Sequence, residues 1–89
     1  MKEGDIEIRN ERGMHARAAS KFVHLANCFD SKIKLVKGSV EVDGKSILGL
    51  LLLQAGKGTS ITLKVDGPDE DEAYNKLEDM IEDRFGESS

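Results

Sequence analysis

The sequence predicts an α+β fold, a four-stranded antiparallel sheet covered on one face by three helices in the order βαββαβα. Three observations carry this. Four short stretches alternate polar and apolar residues with the period of a half-buried strand. Around them, apolar residues recur at helical spacing. Each strand has a single apolar face, which suits an antiparallel sheet with one solvated side rather than a parallel sheet buried on both.

Asp5-Ile6-Glu7-Ile8-Arg9 is the first alternating strand, broken by Asn10-Glu11-Arg12-Gly13. From Ala16 the period changes: Ala19, Phe22, Val23, Ala26 and Phe29 line one side of a helix, with Ser20, Lys21, His24 and Asn27 opposite. Lys32-Ile33-Lys34-Leu35 and Ser39-Val40-Glu41-Val42-Asp43 alternate again and read as a hairpin turning at Lys37-Gly38. Asp43-Gly44 supplies the next turn. The apolar run from Ile47 to Leu53 could be a buried strand or a short helix; its unbranched leucines and the preceding Ser46, an N-cap residue, favour helix. Within it Leu50 and Leu53 are expected inward, and Ile47, Leu48 and Leu51 partly outward. Ser60-Ile61-Thr62-Leu63-Lys64-Val65 is the clearest strand. After Gly67-Pro68, Asp69 with Glu72 predicts a capping box. Ala73, Leu77, Met80, Ile81 and Phe85 then form the stripe of the last helix.

With 89 residues the chain is read as one domain, residues 1–89, too small to enclose both a cofactor and a substrate between lobes. The longest unbroken apolar run, Leu50 to Leu53, is far short of the ~20 residues a membrane span needs. Cys28 is the single cysteine, so no internal disulfide forms. His15 and His24 lack a partner motif, and neither a metal nor a cofactor is expected. A cytoplasmic setting follows as the expectation. Residues 1–64 hold eleven Lys/Arg against seven Asp/Glu, a net +4, while residues 65–89 hold two against ten, a net −8. That balance argues against a nucleic-acid binder, and the basic first part suits an anionic ligand or acidic partner. The Gly56-Lys57-Gly58 loop has no phosphate-cradling pattern and reads as a turn.

Chemistry concentrates at Gly13-Met14-His15-Ala16-Arg17. The pattern sets an imidazole at a helix N-terminus, where unpaired N–H groups and the positive end of the dipole favour an anion. Arg17 adds a planar donor fork suited to phosphate oxygens, and Gly13 permits a sharp turn that leaves the ring exposed. Imidazole is a competent nucleophile near neutral pH and can carry a covalent group. The bland alternative is a helix-end histidine with a surface arginine beside it. His24, on the polar face of the first helix, reads as solvated.

These residues resemble the active-site motif of the histidine-containing phosphocarrier (HPr) family of the bacterial phosphoenolpyruvate-dependent phosphotransferase system. Lys45-Ser46-Ile47-Leu48-Gly49-Leu50 is similar to the family's second signature, the segment around its regulatory serine. Both motifs lie in register, and the resemblance covers essentially the whole chain. It implies an open-faced β-sandwich in which His15 takes a phosphoryl group on Nδ1 from phospho-enzyme I and passes it to a IIA domain or protein, stabilised by Arg17. It further implies phosphorylation of Ser46 by an HPr kinase, and a partner-binding surface of Ala16, Ser20, Ile47, Leu48 and Leu51 on a monomer. Ala18 stands where many sugar-type members have proline; both suit a first helical turn. Ala18-Ala19 and the stretch from Leu51 to Thr59 look closer to the nitrogen-type (NPr) branch, which leaves sugar uptake and nitrogen-type regulation both open. The rival readings are a small regulatory ligand-binding α+β domain without phosphotransfer, an RNA-binding module, disfavoured by charge, and a purely regulatory paralogue.

Overall fold

The computed structural model describes residues 1–88. The strands are β1 (Lys2–Glu7), β2 (Lys32–Lys37), β3 (Val40–Asp43) and β4 (Ser60–Asp66), and the helices are α1 (Ala16–Ala26), α2 (Ile47–Leu52) and α3 (Glu70–Glu82). The four strands form one antiparallel sheet in the order β1-β4-β2-β3. The last strand in sequence therefore becomes a central one, with Ile61 opposite Ile6 on one side and Leu63 opposite Leu35 on the other. Ile33, Leu35, Ile61, Leu63 and Val65 point into the core, where Phe22, Leu50, Leu77 and Ile81 of the helices meet them. The opposite face stays open and charged, with Lys34 and Lys64 both paired to Glu41.

The first strand and the last helix depart most from their expected bounds, each for a physical reason. The first strand begins at Lys2, three residues early, because the inward position at Gly4 has no side chain to register as apolar. A Cβ there would come 2.2 Å from the hydroxyl of Tyr74, which fills the space instead. Its expected end, Ile8-Arg9, lies past the strand, although Ile8 stays buried and bonds to the 58–59 turn. The last helix stops at Glu82, and Phe85 leaves its helical stripe. Arg84, Phe85 and Gly86 all adopt left-handed backbone (φ 56, 55 and 78°), folding Phe85 back into the core. For the two non-glycine residues this costs about 1–2 kcal/mol each.

The capping box of α3 is also absent. Asp69 is the N-cap but makes no side-chain cap; its carboxylate instead accepts from the Asp30 N–H (2.9 Å), the Ser31 N–H (3.0 Å) and the Ser31 hydroxyl. Glu70 takes up the helix-entry role by accepting from the Gly67 N–H at 3.2 Å. Among the described residues, no helix is long and apolar enough to cross a membrane.

Candidate functional site

The turn before α1 is built around Gly13. It has φ +65°, and a Cβ there would lie 2.4 Å from the Ala55 carbonyl oxygen and 2.7 Å from Gly56 Cα. Only glycine meets both demands, left-handed backbone and direct contact with the loop after α2. The Met14 N–H donates to the Ala55 carbonyl at 2.8 Å and locks that contact. Met14 then points into the core, so His15 emerges at a fixed place as the N-cap of α1.

His15 caps with its ring. The Arg17 N–H donates to Nδ1 at 3.2 Å, so this nitrogen presents its lone pair to the open end of the helix. The ring is less exposed than the sequence suggests, because Nε2 lies in hydrogen-bond contact with Oε2 of Glu87, delivered by the left-handed turn after α3. Oε1 of Glu87 accepts from the Asn10 amide at 3.0 Å, and the same amide nitrogen donates to the Gly13 carbonyl at 2.8 Å. Burial pushes the Glu87 carboxyl up, but the hydrogen bonds from Asn10 and His15 and the charges of His15 and Arg12 outweigh it and hold it below the usual carboxylate range.

Arg17 is exposed. With Arg12, Lys21, Gly86, Glu87 and Ser88 it lines a polar depression of about 300 Å³, whose Glu87 in turn contacts the ring. Lys21 is anchored at 3.0 Å to the Phe85 carbonyl. Three basic side chains thus share this space with one carboxylate, Glu87, and their excess of positive charge favours an anion.

Ser46 is the N-cap of α2, its hydroxyl accepting from the Gly49 N–H at 3.0 Å. Leu50 and Leu53 are buried as expected, while Ile47 is 41% exposed and Leu48 75%. Leu51 is half-buried. Leu52, 71% exposed, enlarges the patch beyond the expected residues. Helix α2 packs beside α1, so this patch adjoins the helix that carries His15, Ala16 and Ser20, the latter two exposed. Lys45 is not a free charge here, since its ammonium donates to the Phe29 carbonyl at 2.7 Å. His24 and Cys28 are exposed at the far end of α1. Among the described residues, no group of three or more His, Cys, Asp or Glu could hold a metal ion.

Asn10, Arg12, Lys21 and Glu87 are the site residues that sequence reasoning missed. Asn10 carried a signal only as a turn residue. Glu87 lies 72 positions from His15, and nothing in the local pattern announces it.

The chain is similar to proteins of a single family. The family described as the PTS HPr component phosphorylation site matches residues 2–83. The phosphocarrier protein HPr of Cupriavidus necator is 46% identical over 87 residues, covering 98% of each chain. The phosphocarrier protein NPr of Shewanella violacea is 40% identical over 87 residues, covering 98% of this chain and 96% of its own. Among solved structures, HPr-C-His from Thermoanaerobacter tengcongensis superposes with a TM-score of 0.96 at 44% identity over the full length of both chains.

Proposed function

Because the chain belongs to the HPr family of phosphocarrier components of the phosphotransferase system, we propose that His15 is its phosphoryl acceptor and that Arg17 steadies the transferred group. Membership makes the protein a phosphoryl carrier within a relay, not an enzyme with turnover of its own, and makes its partners other components of that system. In this reading phospho-enzyme I is the donor, and a IIA domain or protein of the sugar or nitrogen branch is the acceptor.

The observation that carries the assignment is the direction of Nδ1. Its lone pair faces the N-terminus of an eleven-residue helix, 3.2 Å from the Arg17 N–H. A phosphoryl group formed there meets helix-end donors and the positive end of the dipole. Arg17, with Arg12 and Lys21 around the same depression, supplies the further charge that a dianion needs. Positioning and charge are most of what phosphoryl transfer asks of a protein, so a small domain suffices once donor or acceptor docks. The apolar patch of Ile47, Leu48 and Leu51, with Ala16 and Ser20 on the neighbouring helix, is the docking surface in this reading. Ser46 is the regulatory site, addressed by an HPr kinase.

The test is direct. Incubation with phosphoenolpyruvate and enzyme I should add one acid-labile phosphate, read by intact mass, and His15→Ala should abolish the gain. A phosphate that persists in His15→Ala removes the assignment.

A further inference from the structure

We propose that Glu87, held by Asn10, is a positioning residue for the phosphoryl-accepting histidine: it keeps the imidazole proton on Nε2 and so leaves Nδ1 as the nucleophile. This rests on His15 being the acceptor. A neutral imidazole has one donor and one acceptor nitrogen, and its tautomer is set by what each nitrogen meets. Here Nδ1 meets an N–H donor, the Arg17 amide, while Nε2 meets a carboxylate oxygen. Only the tautomer protonated at Nε2 satisfies both.

Two independent features argue that this contact is built in. The first is backbone. Arg84 and Phe85 sit at φ 56 and 55°, conformations that non-glycine residues rarely adopt. Such strain persists where surrounding structure over-determines it. The buried Phe85 ring and the Lys21 ammonium on the Phe85 carbonyl do so here, and the turn they hold delivers Glu87 to the ring. The second is Asn10, wholly buried, whose amide nitrogen donates to both the Gly13 carbonyl and Glu87. Its Oδ1 has no hydrogen-bond partner among the described residues. Flipping the amide would set that oxygen against a carbonyl and a carboxylate, so the orientation serving Glu87 is the one the site enforces.

The role extends into the transfer step. As the Nδ1 lone pair forms the new N–P bond, the bond between phosphorus and the donor's leaving atom breaks, and the donor takes that electron pair. The His15 ring has given up a pair while keeping its Nε2 proton, so positive charge develops on it. The Glu87 carboxylate, held in ionised form by Asn10 and its neighbours, faces that charge and stabilises it while the proton stays on Nε2. A carboxylate behind a catalytic imidazole in a hydrolase triad acts through its histidine in a similar way.

Long-range ¹H–¹⁵N correlation of the His15 ring, in the full chain without any donor, tests the inference separately from phosphotransfer. The neutral ring should be protonated at Nε2, Glu87→Ala should give a mixture of tautomers, and Glu87→Gln, whose one acceptor oxygen must serve both Asn10 and Nε2, should fall between the two. In parallel, Glu87→Ala should slow phosphorylation by enzyme I by about tenfold, as loss of a charge-assisted hydrogen bond implies, with Glu87→Gln in between. An unchanged tautomer in Glu87→Ala overturns the proposal, and so does a wild-type ring still carrying both protons under transfer conditions. A phosphate that survives in His15→Ala would instead overturn the assignment of the acceptor, whatever the tautomer.

Discussion

At Asp69 a carboxylate expected to cap its own helix ties two loops together instead. The Ser31 hydroxyl, then the Asp30 N–H and, against some burial, the Ser31 N–H hold its pKa below the ordinary value of 3.8. A carboxyl depressed in the folded state binds fewer protons there than when unfolded. Its stabilisation is therefore complete above the unfolded value and is lost as pH falls through the lower folded one. Thermal melts of wild type and Asp69→Ala should differ by a constant amount from neutral pH down to about 4, and converge below it. A gap that stays constant into strong acid would show that the effect is not this carboxylate's charge. Gly13 illustrates the opposite case at the same scale. Its left-handed φ could be anticipated from a turn before a helix, but its contact with the Ala55 carbonyl could not.

Helix α2 has only six residues, too few to hold on propensity alone, so its cap and its two inward leucines matter disproportionately. Ser46→Ala, which removes the acceptor for the Gly49 N–H, should lower stability by about 1 kcal/mol in denaturant unfolding. Ser46→Asp keeps a good capping oxygen and favours the positive helix end, so its melting temperature should match wild type. The added charge lands beside Ile47 and Leu48, the docking surface proposed above. Phosphorylation of His15 by enzyme I should then slow by about tenfold through repulsion and desolvation. Unimpaired transfer would remove the regulatory reading, and a lowered melting temperature would remove the capping argument beneath it.

Across the whole molecule, one layer of helices covers the sheet while α2 leaves apolar side chains in water. Leu48, 75% exposed, contributes little to folding. Leu48→Glu should leave the melting temperature within a degree or two of wild type, yet weaken binding to enzyme I by about tenfold in calorimetric titration. Unchanged affinity would put the docking surface elsewhere. The active-site contacts are also a whole-molecule property. The ring of His15 is positioned by the turn before α1, which packs on the loop after α2, and meets the turn after α3. Its chemistry therefore depends on all three helices being in place.

From the sequence alone came the four alternating stretches, the helical stripes, Ser46 as a cap, the inward and outward leucines of α2, and His15 at the entrance to a helix beside Arg17. All of these are local. They follow from periods of 2 and 3.6 residues and from the needs of a helix end, which a one-dimensional pattern records. Tertiary structure alone decided that β4 would enter the middle of the sheet, that Asp69 would serve Ser31 rather than its own helix, and that Tyr74 would fill the gap left by Gly4. It also decided that Glu87, bonded by the Asn10 amide, would meet Nε2 of His15. Such contacts join residues whose neighbours in the chain carry no trace of them, because a carboxylate reads the same in sequence whether it faces water or an imidazole. Only folding the chain brings the two together, with one ring nitrogen against a carboxylate and the other against a helix-end N–H.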